Sequence, residues 1–312
     1  MELFSVLDRS MADSEPVGGD VAQEAIERKW IRPFAPGQYL YGPEWTALVR
    51  GLQGALLSRA HALGFAEWLF PRLIPREAVD NFRLTQFAPE LLQATQGGHE
   101  ILDPVQCLPV YHYFSGRHID GAMLPLKIVE TMGGWTWRNE DPDRLDGPIR
   151  AREFLRVEYV WLAPFDEAVR LRAVVRDAVT DLFRELGLSV QLVVGEGCMD
   201  IPVVREALER ASVADEVPVI DIEIPLRPPT RLAGVASPQK EDFEEISGAT
   251  VEGSHHLEGF GITSDAPDLA SGCCGVGLNR LAVGFLYQHG FDSRTWPVPF
   301  IPKGPIGEGV GA

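Results

Sequence analysis

The chain has 312 residues, 45% of them hydrophobic, enough for one large domain or two smaller ones. It carries 28 Lys and Arg against 45 Asp and Glu, a net charge of −17, which disfavours a broad phosphate-binding surface. No apolar run is long enough to span a bilayer, and MELFSVLDRSMADSEPVGGD lacks the basic start and apolar core of a secretory signal, so a cytoplasmic protein with no membrane partner is expected.

Residues 1 to about 40 hold turn-formers and a short helical piece around Val21 to Lys29, and are expected to form a loose N-terminal arm. The remainder, 41–312, is expected to be one domain. Leu48, Leu52, Leu56 and Leu57 stand at helical spacing and predict a helix over Trp45 to Leu63, stopped by Gly64. Phe65 to Ile74 is a strand-like run broken by Pro71, and Glu77 to Ala94 mixes helix and loop. Tyr111 to Phe114 and Leu126 to Thr131 are short strand candidates. Trp135 to Trp137 and Phe154 to Leu162 are rich in aromatic and β-branched residues, with Asp-Pro-Asp and Asp-Gly-Pro turns between them, and predict a hairpin-like pair. A long helix follows over Asp166 to Leu186, then a strand over Val190 to Val194. Ile201 to Ala211 reads as helix, Val217 to Leu226 as strand, Arg227 to Arg231 as a turn, and Gly259 to Ile262 as a short strand. GVGLNRLAVGFLYQH, Gly275 to His289, reads as a glycine-opened helix, before a Pro- and Gly-rich tail. Strands dominate the middle without regular βαβ alternation. The fold class expected is mixed α/β (α+β), an antiparallel sheet flanked by helices.

The predicted hairpin carries Arg138, Glu140, Arg150, Phe154, Arg156 and Glu158. One solvated sheet face would account for any of them singly. A Phe set among arginines and glutamates suits a nucleotide instead. Arg138 on the hairpin and Arg280 on the last helix would approach a triphosphate from two elements and neutralise charge developing at the α-phosphate, while Phe154 stacks on a purine.

This arrangement resembles the active site of class II aminoacyl-tRNA synthetases. Arg138-Asn-Glu140 with Arg150 and Phe154 is similar to that family's second motif. Gly275-Val-Gly277-Leu-Asn-Arg280 is similar to its third. AHALGFAEWLFP, with Pro71 in the dimer-interface position, is similar to its first. The resemblance covers most of residues 45 to 290. It implies a catalytic domain over 41–312, ATP binding, and a homodimer.

The four cysteines are Cys107, Cys198, Cys273 and Cys274. None forms a CxxC pair, and each alone would be a small buried hydrophobe. The chain looks like the atypical zinc-dependent seryl-tRNA synthetases, and in particular their truncated relatives, the amino acid:[carrier protein] ligases. That resemblance implies Zn²⁺ held by Cys107, Glu158 and Cys273, with Cys274 the second choice for the last ligand and Cys198 structural. The open fourth position would take the substrate's α-amine. The resemblance also implies Arg156 orienting the amino acid, Glu140 reading the adenine amino group, and Glu244 or Glu245 holding Mg²⁺ on ATP, unless these acids are an exposed loop. Gln239 to Phe243-Glu244 and His256 before Phe260-Gly261 extend the likeness. The family's Ser-x-Asn is replaced by Glu252, Gly253 and Ser254, which leaves the substrate side chain open. The adjacent histidines, His255 and His256, are expected to be polar surface.

Only about 40 residues precede the predicted core, fewer than a domain of usual size. The expected function is therefore formation of an aminoacyl-adenylate and its transfer to the phosphopantetheine thiol of a carrier protein, with tRNA an unlikely partner. The helix bearing Arg170, Arg172, Arg176 and Arg184 is either the carrier's dock or a solvated, self-paired face. The alternatives are an aminoacyl-tRNA or other small-acceptor ligase, and a non-catalytic amino-acid-binding paralogue.

Overall fold

A computed structural model describes residues 1–131, 135–197, 201–228, 243–298 and 300. Its centre is a nine-stranded sheet. In chain order the strands are β1 (Val6–Ser10), β2 (Ala66–Trp68), β3 (Leu126–Glu130), β4 (Trp135–Trp137), β5 (Glu153–Pro164), β6 (Val190–Val194), β7 (Val219–Ile224), β8 (Glu244–Gly253) and β9 (Leu269–Gly277). The spatial order is β1-β6-β7-β8-β9-β5-β3-β2, with β4 paired to β5. All neighbours are antiparallel except β2 and β3.

The long strand β5 shows how the sequence sorts the layers. Successive side chains on a strand point to opposite faces. Val157, Tyr159, Trp161 and Ala163 enter one hydrophobic cluster, and Val160 and Leu162 enter another. The first cluster is covered by α1 (Pro43–Ala62), α3 (Phe165–Glu185) and α5 (Leu278–His289). In α3 the buried Ala168, Leu171, Val175, Val179, Leu182 and Phe183 recur every three or four residues, which makes one apolar stripe facing the sheet. Trp161 is fully buried between these layers. Truncating it to Ala would cost ~3–5 kcal/mol. The second cluster, on the other face, contains Phe82, Tyr111, Leu257 and Phe260, contributed by smaller elements including α2 (Leu108–Tyr113) and α4 (His255–Gly259). The same face receives the polar residues Arg156 and Glu158. The site therefore lies on the face opposite α1 and α3, and only the first turn of α5 reaches it.

Several sequence expectations change. The N-terminal arm is not loose: Val6–Ser10 is an edge strand paired to β6, and Ile31–Ala35 with Gln38–Tyr41 forms a hairpin. Pairing partners some 180 residues away supply order that local turn-formers do not show. The stretch after Cys107 is the helix α2 rather than a strand. Pro109 in its first turn suits a helix start, and Leu108, Val110 and Tyr111 are buried on it. Residues 255–259 are helical, and the short strand lies just beyond, at Thr263–Ser264. The glycines Gly275 and Gly277 end strand β9, and the helix begins only at Leu278. Cys198 and Gln239 lie outside the described residues.

Candidate active site

Strands β5, β8 and β9 lie side by side and form the floor of a cavity of about 320 Å³. Its walls include Arg138, Glu140, Arg150, Phe154, Arg156, Glu245, Glu252, Cys273 and Arg280. Nine of the twelve residues singled out from the sequence thus meet around one space. Two more, Cys107 and Glu158, lie just beneath it. Ser254 is the exception. It is exposed, and its hydroxyl donates to Glu258 Oε1 at 2.6 Å.

At one end of the cavity, β4 pairs with the start of β5, placing Thr136 opposite Phe154. The Arg138 amide extends that ladder by donating to the Arg152 carbonyl at 2.8 Å. The Arg138 guanidinium lies 5.8 Å from the centre of the Phe154 ring. Glu140 pairs with Arg150 at 3.1 Å. Arg280, on the first turn of α5, donates to the carbonyls of Ile149 at 2.8 Å and Glu245 at 2.7 Å. It thereby pins the hairpin loop against β8.

At the other end, one ligand atom each from Cys107, Glu158 and Cys273 lies within 4.8 Å of the others, and all three residues are buried. On β9 the two adjacent cysteines point to opposite faces. Cys273 faces the site, and Cys274 faces the helix-covered core, where its thiol meets Ser247 Oγ at 3.2 Å. Burial pushes the Cys274 thiol up to about 12. Burial also raises Glu158, although Arg156 Nε, 2.7 Å from its Oε2, offsets part of that. Glu158 is fully buried, with the Arg156 guanidinium and the Cys273 thiol beside its carboxylate. Two thiols and a buried carboxylate are the donor set that suits Zn²⁺. The residues fit the ion.

Glu252 projects beside this cluster as the extra residue of a bulge between β8 and β9, a device that re-aims side chains near sites. Its Oε2 accepts from the Tyr111 hydroxyl at 3.1 Å and lies 3.2 Å from His256 Nε2. Burial alone would raise Glu252, but His256 and Tyr111 together hold it below the usual carboxylate range. His256 is fully buried and stacks on Phe82 at 3.8 Å, so the expectation of a polar surface pair fails. A sequence shows two adjacent histidines but not the ring waiting to cover one of them.

Asp221 also lines the cavity and was not singled out from the sequence. Burial, Glu245 and Glu223 push its carboxyl well above the usual range. A Cβ at Gly195 would overlap it. Only the pairing of β7 with β8 brings these residues together. The arginines of α3 resolve to the self-paired alternative. Arg170 pairs with Glu167, Arg176 with Asp177, Arg184 with Asp8 and Asp181, and Arg172 is buried. No helix among the described residues is long and apolar enough to cross a membrane.

No protein-family profile matches the chain. It is 30% identical to the type-2 serine–tRNA ligase of Methanopyrus kandleri, over 97% of this chain and 63% of the relative. It is 31% identical to the type-2 serine–tRNA ligase of Methanothermobacter thermautotrophicus, over 89% of this chain and 58% of the relative. The chain thus spans about three fifths of the length of these curated relatives. Among solved structures it superposes on that of A. aeolicus tRNASec in complex with M. kandleri SerRS, with a TM-score of 0.82 and 29% identity over 96% of this chain and 63% of the other. The cytoplasmic serine–tRNA ligase of Naegleria fowleri in complex with AMP shares the fold at a TM-score of 0.73 and 9% identity, over 93% of this chain and 61% of the other. These findings overturn the expectation of a carrier-protein ligase and of tRNA as an unlikely partner. The relatives are serine–tRNA ligases, and a solved neighbour is a complex with tRNA. The mixed α/β fold is that of class II seryl-tRNA synthetases, and the homologues of this chain are type-2 serine–tRNA ligases.

Proposed function

We propose that this chain is the amino-acid-activating core of an aminoacyl-tRNA ligase, with serine the first substrate to test. One observation carries the reading: a single cavity joins the Arg138, Phe154 and Arg280 end to Cys273, whose thiol groups with Cys107 and Glu158. ATP would lie with its adenine on Phe154 and its phosphates between Arg138 and Arg280. Glu140, already paired to Arg150, would accept from the adenine amino group. Glu245 would hold Mg²⁺ on the phosphates. Arg156 would orient the amino acid's carboxylate toward the α-phosphorus. Zn²⁺ bound by the two thiols and Glu158 would supply a Lewis-acid position for the α-amine.

A carboxylate oxygen attacks the α-phosphorus, the bond to the bridging oxygen breaks, and pyrophosphate leaves with that electron pair. No protein nucleophile is needed. The chain contributes alignment and positive charge where negative charge develops. A hydroxyl of tRNA then displaces AMP from the acyl carbon. The test is ATP–pyrophosphate exchange across an amino-acid panel, followed by AMP release with and without tRNA. Exchange with one small amino acid and tRNA-stimulated AMP release are expected. Absence of exchange from zinc-loaded protein would overturn the reading.

A further inference from the structure

We propose that Arg72, which lies outside the cavity, is a positioning residue that ties the metal-ligating segment to the nucleotide-binding hairpin. The inference rests on the function proposed above. Arg72 follows Pro71 in the turn between β2 and the short strand Leu73–Pro75. Its Nη1 donates to the Trp135 carbonyl at 2.8 Å, and its Nη2 donates to Glu130 Oε1 at 3.0 Å and the Phe70 carbonyl at 3.3 Å. Nη1 also lies 3.5 Å from Asp103 Oδ2, and the Arg72 carbonyl accepts from the Asp103 amide at 3.0 Å.

Each anchor leads to a different part of the site. Trp135 opens β4, three residues before Arg138. Asp103 sits one residue before Pro104, whose carbonyl accepts from Arg138 Nε at 3.4 Å, and four before Cys107. The Asp103 carbonyl accepts from the Trp137 amide at 2.8 Å, closing the loop onto β4. Glu130 pairs across the sheet with Glu158, and the Gln106 amide beside Cys107 donates to Glu130. A single guanidinium therefore touches the strand that aims Arg138, the loop that carries Cys107, and the carboxylate opposite Glu158.

Charge explains why the fork must be an arginine. Asp103 and Glu130 are 2% and 1% exposed, and the Arg72 guanidinium lies against both. Lysine could neutralise one of them but could not also hold the Trp135 and Phe70 carbonyls, because it has no planar fork. Loss of the fork would remove the hydrogen bonds that hold the Trp135 and Phe70 carbonyls and the Glu130 carboxylate to one point, and the 103–107 loop would move away from β4.

The test uses Arg72→Gln and Arg72→Lys, each alone and with Arg138→Ala. Two equilibrium readouts are taken without turnover: ATP affinity by titration, and zinc affinity by chelator competition. Arg72→Gln is expected to weaken ATP binding about 10-fold and zinc binding several-fold, with Arg72→Lys intermediate, and to change ATP binding by less than about 2-fold once Arg138 is alanine, because residues acting through one contact are not additive. Unchanged ATP and zinc affinities with only a lower Tm would make Arg72 purely structural. An equal loss in the Arg138→Ala background would also overturn the proposal. If Arg72→Gln does not fold, the Arg72→Lys pair decides by the same criterion. Because neither readout needs an amino acid or tRNA, failure of amino-acid activation would count against the proposed function and not against this inference.

Discussion

Arg156 and Glu158 stand two residues apart on β5, and their side chains meet on the site face with Nε 2.7 Å from Oε2. The neighbouring strand allows this. Gly275 lies opposite Glu158, and a Cβ there would overlap the Arg156 guanidinium. The glycine that resembles a helix opener in the sequence is a strand residue that leaves room for an arginine.

Gly275→Ala is therefore expected to displace the Arg156 side chain while sparing the backbone ladder. The expected result is a rise in KM for the amino acid of about 10-fold or more, from loss of a charge-assisted contact of ~1.5–3 kcal/mol. KM for ATP should change far less. Exchange kinetics with each substrate varied in turn separate the two. Equal changes in both would show that the glycine serves packing alone.

Phe154→Ala should show the opposite split. The ring packs beneath Arg138 and faces the cavity. Removing a stacking surface worth ~1–3 kcal/mol should raise KM for ATP by about 5- to 160-fold and leave the amino-acid KM nearly unchanged. Titration with ATP alone should reproduce the loss.

Metal removal should lower both stability and activity. Without an ion, the hydrogen bond to Cys107, burial and the carboxylates nearby push the Cys273 thiol well up, and burial raises Cys107 and Glu158 too, so charge in this space is disfavoured. An ion that binds only the folded state stabilises it by about 2.7 kcal/mol at one hundred times its dissociation constant. Chelated protein is expected to show a lower Tm and no exchange, both restored by zinc. Cys107→Ala should lose stoichiometric zinc, whereas Cys274→Ala should keep it. Zinc loss in Cys274→Ala would reverse the assignment made from β9.

Asp103 should give stability a pH dependence of its own. Burial raises its carboxyl to about 7, while Arg72 and Arg156 pull it down and Glu130 pushes it up. The folded state therefore keeps the proton to higher pH than the unfolded chain. Its contribution is fully present below about pH 4 and is lost as pH rises through about 7. A displacement from 3.8 to about 7 corresponds to ~4 kcal/mol. In Asp103→Asn that part of the slope between pH 4 and 7 should disappear, as read from urea unfolding across the range. An unchanged slope would show that Asp103 is already ionised in the fold.

Strong local periodicity made much of the framework legible. Leu48, Leu52 and Leu56 mark α1, the apolar stripe of Asp166 to Leu186 marks α3, and Val190 to Val194 is a strand with the same bounds in both descriptions. Arg138, Phe154 and Arg280, which line one cavity, were legible as candidate site residues because charged and aromatic side chains stood together on an otherwise apolar pattern. Cys107, Glu158 and Cys273 were legible only through resemblance.

By itself the sequence determined the residue types, their order, and those elements whose signal is local, because 3.6- and 2-residue periods depend only on neighbours a turn or two away. The tertiary structure alone decided what depends on distant partners. Strand pairing made Gly275 and Gly277 part of β9, and alternation on that strand turned Cys273 to the site and Cys274 to the core. The Phe82 ring buried His256, and β6 gave the first residues a place at the sheet's edge. In each case the deciding group lies more than a hundred residues away or on another strand, and no window of sequence contains both.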